Sequence, residues 1–280
     1  MRSRLIVTAD DVGLHEGMNA GAVRAHHDGI VTACSVVANG VALHDAVDRL
    51  RECPRMSVGA HLTLVEERPV APVDAVGSLV GNDGRFFDDF RAFAARWALG
   101  RIRLRDVERE LRAQIELLLR SGLELNHLNG HQHLHVLPRI FHIVLMLAEE
   151  YGIRYVRIPS DAAPQGTATG RAIAMRILNV FGAHAKRRGS QITTSAATIG
   201  IAAAGQMSAA GLIALVERLD GGTAELVSHP GTGNEKIAVA YDWGYDWDRE
   251  TDALCDPAVR TALTNHGVEL ITPEDVALSS

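Results

Sequence analysis

Cysteine is scarce in this 280-residue chain: Cys34, Cys53 and Cys255 are the only three, and no two form a CxxC pair. An odd number without paired spacing excludes a disulfide framework and a cysteine zinc site. The three read as small buried hydrophobes in a reducing compartment. Aromatic residues make up 5%, too few for a nucleic-acid stacking surface, and the formal charge of −6 has the wrong sign for phosphate backbones. No nucleic-acid partner is therefore expected. No apolar run is long enough to span a bilayer, and the N-terminus passes into Leu5–Val7 without the features of a leader or transit peptide. These absences point to a cytoplasmic protein. What the chain does have is apolar material, 47% of its residues, ample for one large core. Its length suits one α/β domain over residues 1–280.

Strand and helix patterns alternate along the chain. Strands are expected at Leu5–Val7, Ile30–Val37, Ser57–Thr63, Leu125–Leu128, Ile153–Ile158, Thr223–Val227 and Val268–Ile271. Helical periodicity lies between most of them, and Asp106 offers an N-cap for a helix with Val107, Leu111, Ile115 and Leu118 on one face. Pro138 suits the first turn of the next helix. This alternation predicts a mainly parallel sheet. Two stretches interrupt it. Residues from about 66 to 89 hold three glycines and two prolines and form a long loop excursion, a length usually reserved for function. Pro159–Gly170 reads as a linker and opens a basic and apolar region reaching to about residue 216.

Four polar motifs fall at strand ends, where α/β folds place their chemistry: Asp10-Asp11, His61, the run from Asn126 to Pro138, and His229. The run carries His127, His131, His133 and His135. If it is extended, the last three point to one side of a strand and, with Asn129 and Gly130, make a polar working surface. A carboxylate and two histidines form a three-ligand metal site with room for water, and a spare Asp can act as base. His229 is suited to donate a proton to a leaving group.

At TADDVG (Thr8–Gly13), VGAHLTL (Val58–Leu64), HLNGHQHLH (His127–His135) and SHPG (Ser228–Gly231) the chain resembles the YdjC-like carbohydrate deacetylases, which include chitooligosaccharide deacetylases. The resemblance runs over nearly the whole chain, more weakly from about 160 to 220. RAQIELLLRSGLELNHLNGH and EEYGIRYVRIP resemble the hopanoid-biosynthesis-associated branch. The resemblance implies a distorted (β/α) barrel of the TIM type and hydrolysis of an N-acetyl group from an amino sugar, which in that branch is lipid-linked. Carried over by position, it puts the ligands of one divalent ion, zinc or magnesium, on Asp11, His61 and His131. It puts the base on Asp10 and the acid on His229. His133, His135 and Asn129 then serve as substrate contacts or as supports behind the ligands. The resemblance also implies a homodimer. Asn129-Gly130 stands where many members have Asp-Ser, and Val12 where many have Phe, changes that bear on substrate fit.

The rival readings are another metal hydrolase, an amidohydrolase or phosphoesterase, and a sugar- or lipid-binding relative without catalysis. Amidohydrolases usually carry His-x-His on the first strand, which here carries Asp10-Asp11. Loss of Asp10 or His229 would mark the non-catalytic case, and both are present. A charge asymmetry remains. Ala162 to Val216 has no acidic residue and five basic ones (Arg171, Arg176, Lys186, Arg187, Arg188), which leaves −11 on the rest of a chain whose total is −6. Such a segment can rest on anionic headgroups, so peripheral contact at the inner membrane is an expectation too.

Overall fold

The computed structural model describes residues 2–160, 169–188 and 192–278. Eight parallel strands are β1 (Ser3–Val12), β2 (Ala33–Val36), β3 (Ser57–Leu62), β4 (His127–Gly130), β5 (Tyr155–Val156), β6 (Ala197–Ile199), β7 (Gly222–Ser228) and β8 (Glu269–Leu270). Seven follow the order β5-β4-β3-β2-β1-β7-β6, and β8 pairs with the start of β1 at Arg4 and Leu5. The sheet curls into a half-barrel. Across its open side a parallel bridge joins Tyr155 to Thr193, on the segment that leads into β6.

Strand alternation sorts side chains between helices and interior. Leu5, Val7 and Ala9 on β1, Cys34 and Val36 on β2, Ala60 and Leu62 on β3, Leu128 on β4 and Leu226 on β7 pack into one large apolar core shared with the helices. The alternate residues face inward. Ile6, Ala33 and Tyr155 meet Ile271 and Val276 in an apolar layer at the base. Above them stand Thr8, Asp10, Ser35, His61, Asn129, Arg157 and Glu225, all buried and joined by hydrogen bonds. His127 fills the interior beneath Asn129, and a Cβ on Gly59 would come within 2.4 Å of its ring.

β1 is longer than its apolar pattern, because Asp10 and Asp11 lie inside it and not beyond its end. Its register against β2 runs Thr8↔Ala33, Ala9↔Cys34, then Val12↔Val36, three steps against two. The extra residue makes a bulge, and Asp11 takes φ +65 within it. Regular alternation would send adjacent aspartates to opposite faces. The bulge turns both into the interior.

The histidine run departs from its expected extended form. β4 ends at Gly130, and His131–Val136 is a 3₁₀ turn with Gln132 (φ 49) and His133 (φ 57) in the left-handed region. His131, His133 and His135 therefore diverge. The following helix, Ile140–Glu150, begins after Pro138 and not on it, with Arg139 at its N-cap. Likewise the helix Leu104–Arg120 is preceded by Arg103 and not capped by Asp106. Asp106, Glu110 and Gln114 instead form a buried row that holds the excursion: Asp106 accepts from Ser78 N, Glu110 from Val70 N and Ala71 N, and Gln114 from Thr63 N. The linker-like 161–168 lies outside the described residues. The basic segment after it forms the helix Thr169–Arg188.

Candidate active site

Asp11, His61 and His131 converge, with ligand atoms all within 4.8 Å of one another and all three residues buried. Asp11 Oδ1 lies 2.9 Å from His131 Nδ1 and 3.3 Å from His61 Nε2. The surrounding hydrogen bonds decide what those contacts are. Asn129 Nδ2 donates to Asp10 Oδ1 (3.2 Å), which turns Asn129 Oδ1 toward His61 Nδ1 at 2.7 Å. His61 therefore carries its proton on Nδ1 and presents the Nε2 lone pair to Asp11. His131 Nε2 faces Glu66 Oε2 at 3.2 Å, so in the neutral ring the proton stays on Nε2 and the Nδ1 lone pair also points at Asp11. Lone pairs of two imidazoles aimed at one carboxylate require a cation between them. A proton satisfies one pair, whereas a divalent ion satisfies all three groups, so the donor set fits a metal. Burial disfavours the charged form of His131, but Asp11 and Glu66 outweigh it and push its pKa up to about 10. An ion would have to displace that proton. Burial likewise works against the Asp11 carboxylate, and His131 and His61 hold it well below the usual carboxylate range.

Asp10 has a different surrounding. Its Oδ1 accepts from Arg157 Nη2 (2.9 Å), Ser35 Oγ (2.9 Å) and Asn129 Nδ2 (3.2 Å), while its Oδ2 accepts from Arg157 Nη1 at 2.5 Å. Burial raises its pKa, but Arg157 and His61 reverse that and keep it ionised far below the ordinary range. Arg157 Nε also donates to Glu225 Oε1 (2.8 Å), which takes a bond from Thr8 Oγ1, while Tyr155 Oη donates to Glu225 Oε2. His229 Nε2 is 3.9 Å from Asp11 Oδ2, and its Nδ1 is 3.8 Å from Glu250 Oε1. Burial opposes protonation of His229, yet Glu250 and Asp11 raise its pKa above the ordinary histidine value. Glu250 also accepts from His229 N and Gly205 N, which fixes the loop after β7.

The structure thus brings Asp10, Asp11, His61, His131, Asn129 and His229 together. His135 turns away, donating from Nε2 to Arg157 O (2.8 Å), and burial lowers its pKa to about 3. His133 packs near His135, its Nδ1 buried without a hydrogen-bond partner among the described residues. Sequence reasoning missed Arg157, Glu225, Glu66 and Glu250. A lone Arg in YVRIP and a lone Glu in TAELVS, each inside an apolar strand pattern, were the available signals. An aromatic rim completes the site. Trp243 lies 5.4 Å from the His131 ring and Tyr245 5.4 Å from the His229 ring, centre to centre, and both are half-buried.

The mouse protein named carbohydrate deacetylase is 32% identical, with 98% of this chain and 95% of that protein covered. A Geobacillus stearothermophilus protein of the same name is 31% identical, with 95% of each covered. A crystal structure of a protein from Enterococcus faecalis V583 superposes with TM-score 0.80 at 22% identity, covering 98% of this chain and 99% of that one, and shows the same fold. The sequence model of the YdjC-like protein family matches residues 4–265. The chain belongs to the YdjC-like family.

Proposed function

We propose that this chain is a metal-dependent hydrolase that removes the N-acetyl group from an amino sugar. The observation that carries the reading is the convergence of Asp11, His61 and His131 beside Asp10 and His229. Membership of a family whose relatives are named carbohydrate deacetylase supports it. Asp11, His61 and His131 would hold one divalent ion. Two imidazoles and one carboxylate suit zinc by ligand type, and magnesium is the alternative. Such an ion, when bound, lowers the pKa of water toward about 7 and polarises a carbonyl. Asp10 accepts the proton of the attacking water. Its Oδ2 is the available atom, because it takes one hydrogen bond against three at Oδ1. Arg157 makes Asp10 a weak base but keeps it always ionised. His229, whose protonated form Glu250 and Asp11 favour, gives its Nε2 proton to the departing amine, which is a poor leaving group as an anion. Trp243 and Tyr245 offer apolar ring surface for the C–H face of a sugar beside these groups.

Acetate release from a panel of N-acetylated sugars and glycolipids, with and without added zinc or magnesium, tests the reading. Metal-dependent release is expected. Turnover of a phosphoester or cyclic amide with no acetate release would favour the rival hydrolases.

The finer reading is a lipid-linked, hopanoid-type N-acetylglucosamine reached at the inner membrane. Among the described residues no helix is long and apolar enough to cross a membrane. On the helix Thr169–Arg188, Arg176, Val180, Ala183 and Arg187 are exposed and fall on one face by helical spacing, a surface suited to anionic headgroups. Lys186 does not join them, since its Nζ donates to Ala196 O (2.8 Å) and Ser160 Oγ (3.3 Å). Sedimentation with anionic liposomes should show salt-sensitive binding that falls when Arg176 and Arg187 become Gln. No association at low salt, with full activity on a water-soluble N-acetyl sugar, would reject it. A homodimer is proposed as well, and sedimentation velocity measures it.

A further inference from the structure

We infer that Glu66 is a positioning residue for the metal centre: its carboxylate fixes which nitrogen of His131 carries the proton and where the ring points. The inference rests on the reading of Asp11, His61 and His131 as a metal site.

The backbone gives the first sign. Glu66 sits four residues beyond β3 with φ +68, a left-handed conformation that Gly or Asn would occupy at less strain. The surroundings hold it there. Glu66 N donates to Phe87 O (2.8 Å), Arg85 Nη2 donates to Glu66 O (2.6 Å), and Val65 bridges Phe87. A strained residue fixed this firmly beside a reactive cluster points to a use for its side chain.

The side chain supplies that use. Oε2 is 3.2 Å from His131 Nε2, and Oε1 accepts from Gln132 Nε2 at 2.5 Å. Gln132 Oε1 in turn accepts from Phe90 N (2.9 Å), the first residue of the helix Phe90–Ala98. Gln132 and His133 are themselves left-handed, so the turn that presents His131 has no regular strand or α-helix to steady it. Glu66 does so from across the site. With the proton of His131 on Nε2 and directed at Glu66, Nδ1 is left as the ligand atom, 2.9 Å from Asp11 Oδ1. A carboxylate behind a ligating imidazole also raises its basicity, and loss of such a partner typically weakens metal binding about 10–100-fold.

Calorimetric zinc titration of the full chain, with E66A, E66G and E66Q, tests this. E66G accommodates the left-handed backbone, so the carboxylate is removed without added strain even if E66A folds poorly. Zinc affinity should fall about 10–100-fold in E66A and E66G. It should be partly recovered in E66Q, whose amide oxygen can still accept from His131 Nε2. In the zinc-loaded protein, ¹H–¹⁵N NMR should find a slowly exchanging proton on His131 Nε2 that is lost in E66A and E66G. A purely structural Glu66 would lower Tm and leave both signals alone. Wild-type zinc affinity in E66A and E66G, or a His131 proton on Nδ1, would overturn the role of Glu66. A wild type that binds no zinc at the triad would instead overturn the metal reading itself.

Discussion

On the floor of the site, Asp10 and Glu225 share Arg157, and every strong charge there has a fixed partner within the chain. At the rim, the Asp11 carboxylate is paired, among the described residues, with imidazoles alone, and Glu66 and Glu250 stand behind His131 and His229. The floor is complete as it stands. The rim gathers negative charge and imidazole nitrogens that a shared cation would satisfy together. In the proposed mechanism two aspartates adjacent in sequence take opposite tasks, one as a proton acceptor and one as a ligand. The difference arises from which neighbours face them, not from the residue type.

The comparison breaks most visibly at the rim. Asp11→Ala, His61→Ala or His131→Ala should abolish tight zinc binding and with it acetate release, as read by calorimetry and a product assay. A variant that keeps full stoichiometry and affinity would remove that residue from the ligand set. On the floor, Asp10→Asn preserves shape but not the proton acceptor. It should keep its zinc while turnover drops by about 10²–10⁴-fold, and near-normal turnover would reject Asp10 as base.

Arg157→Leu tests whether the floor is held by its ion pairs. It leaves two buried carboxylates without their cation, a change that typically costs about 3–5 kcal/mol. Urea denaturation should report that loss, and an unchanged midpoint would show that the pairing contributes little. The smallest effect belongs to His127, buried beneath the floor. Burial, with Arg157 nearby, lowers its pKa from 6.5 to about 3. The unfolded chain then binds the extra proton between those values, so its share of stability is complete above pH 6.5 and declines as pH falls toward 3. Between pH 7 and pH 5 the loss is about 2 kcal/mol at 1.36 kcal/mol per unit. His127→Leu should flatten the stability profile by that amount. A slope equal to wild type would mean that His127 is already charged in the folded protein.

Much of the arrangement was present in the sequence. An apolar strand followed by Asp10-Asp11, a strand ending in His61, Asn129 with His131, and His229 after another strand all belong to a parallel sheet whose strand ends share one side. Parallel strands put their carboxyl ends together whatever their separation along the chain, so order and polarity sufficed to bring these groups near one another. Three features were decided only by the tertiary structure. The bulge at Asp11 is a mismatch of register between β1 and β2, which neither strand encodes by itself. The left-handed turn at Gln132 and His133 sends three evenly spaced histidines in different directions, so a spacing that reads as a strand builds a corner. Arg157, Glu225 and Glu66 gain their meaning from partners 65 to 217 residues away. A buried charge is tolerable only where such partners converge, and that convergence is a property of the closed fold.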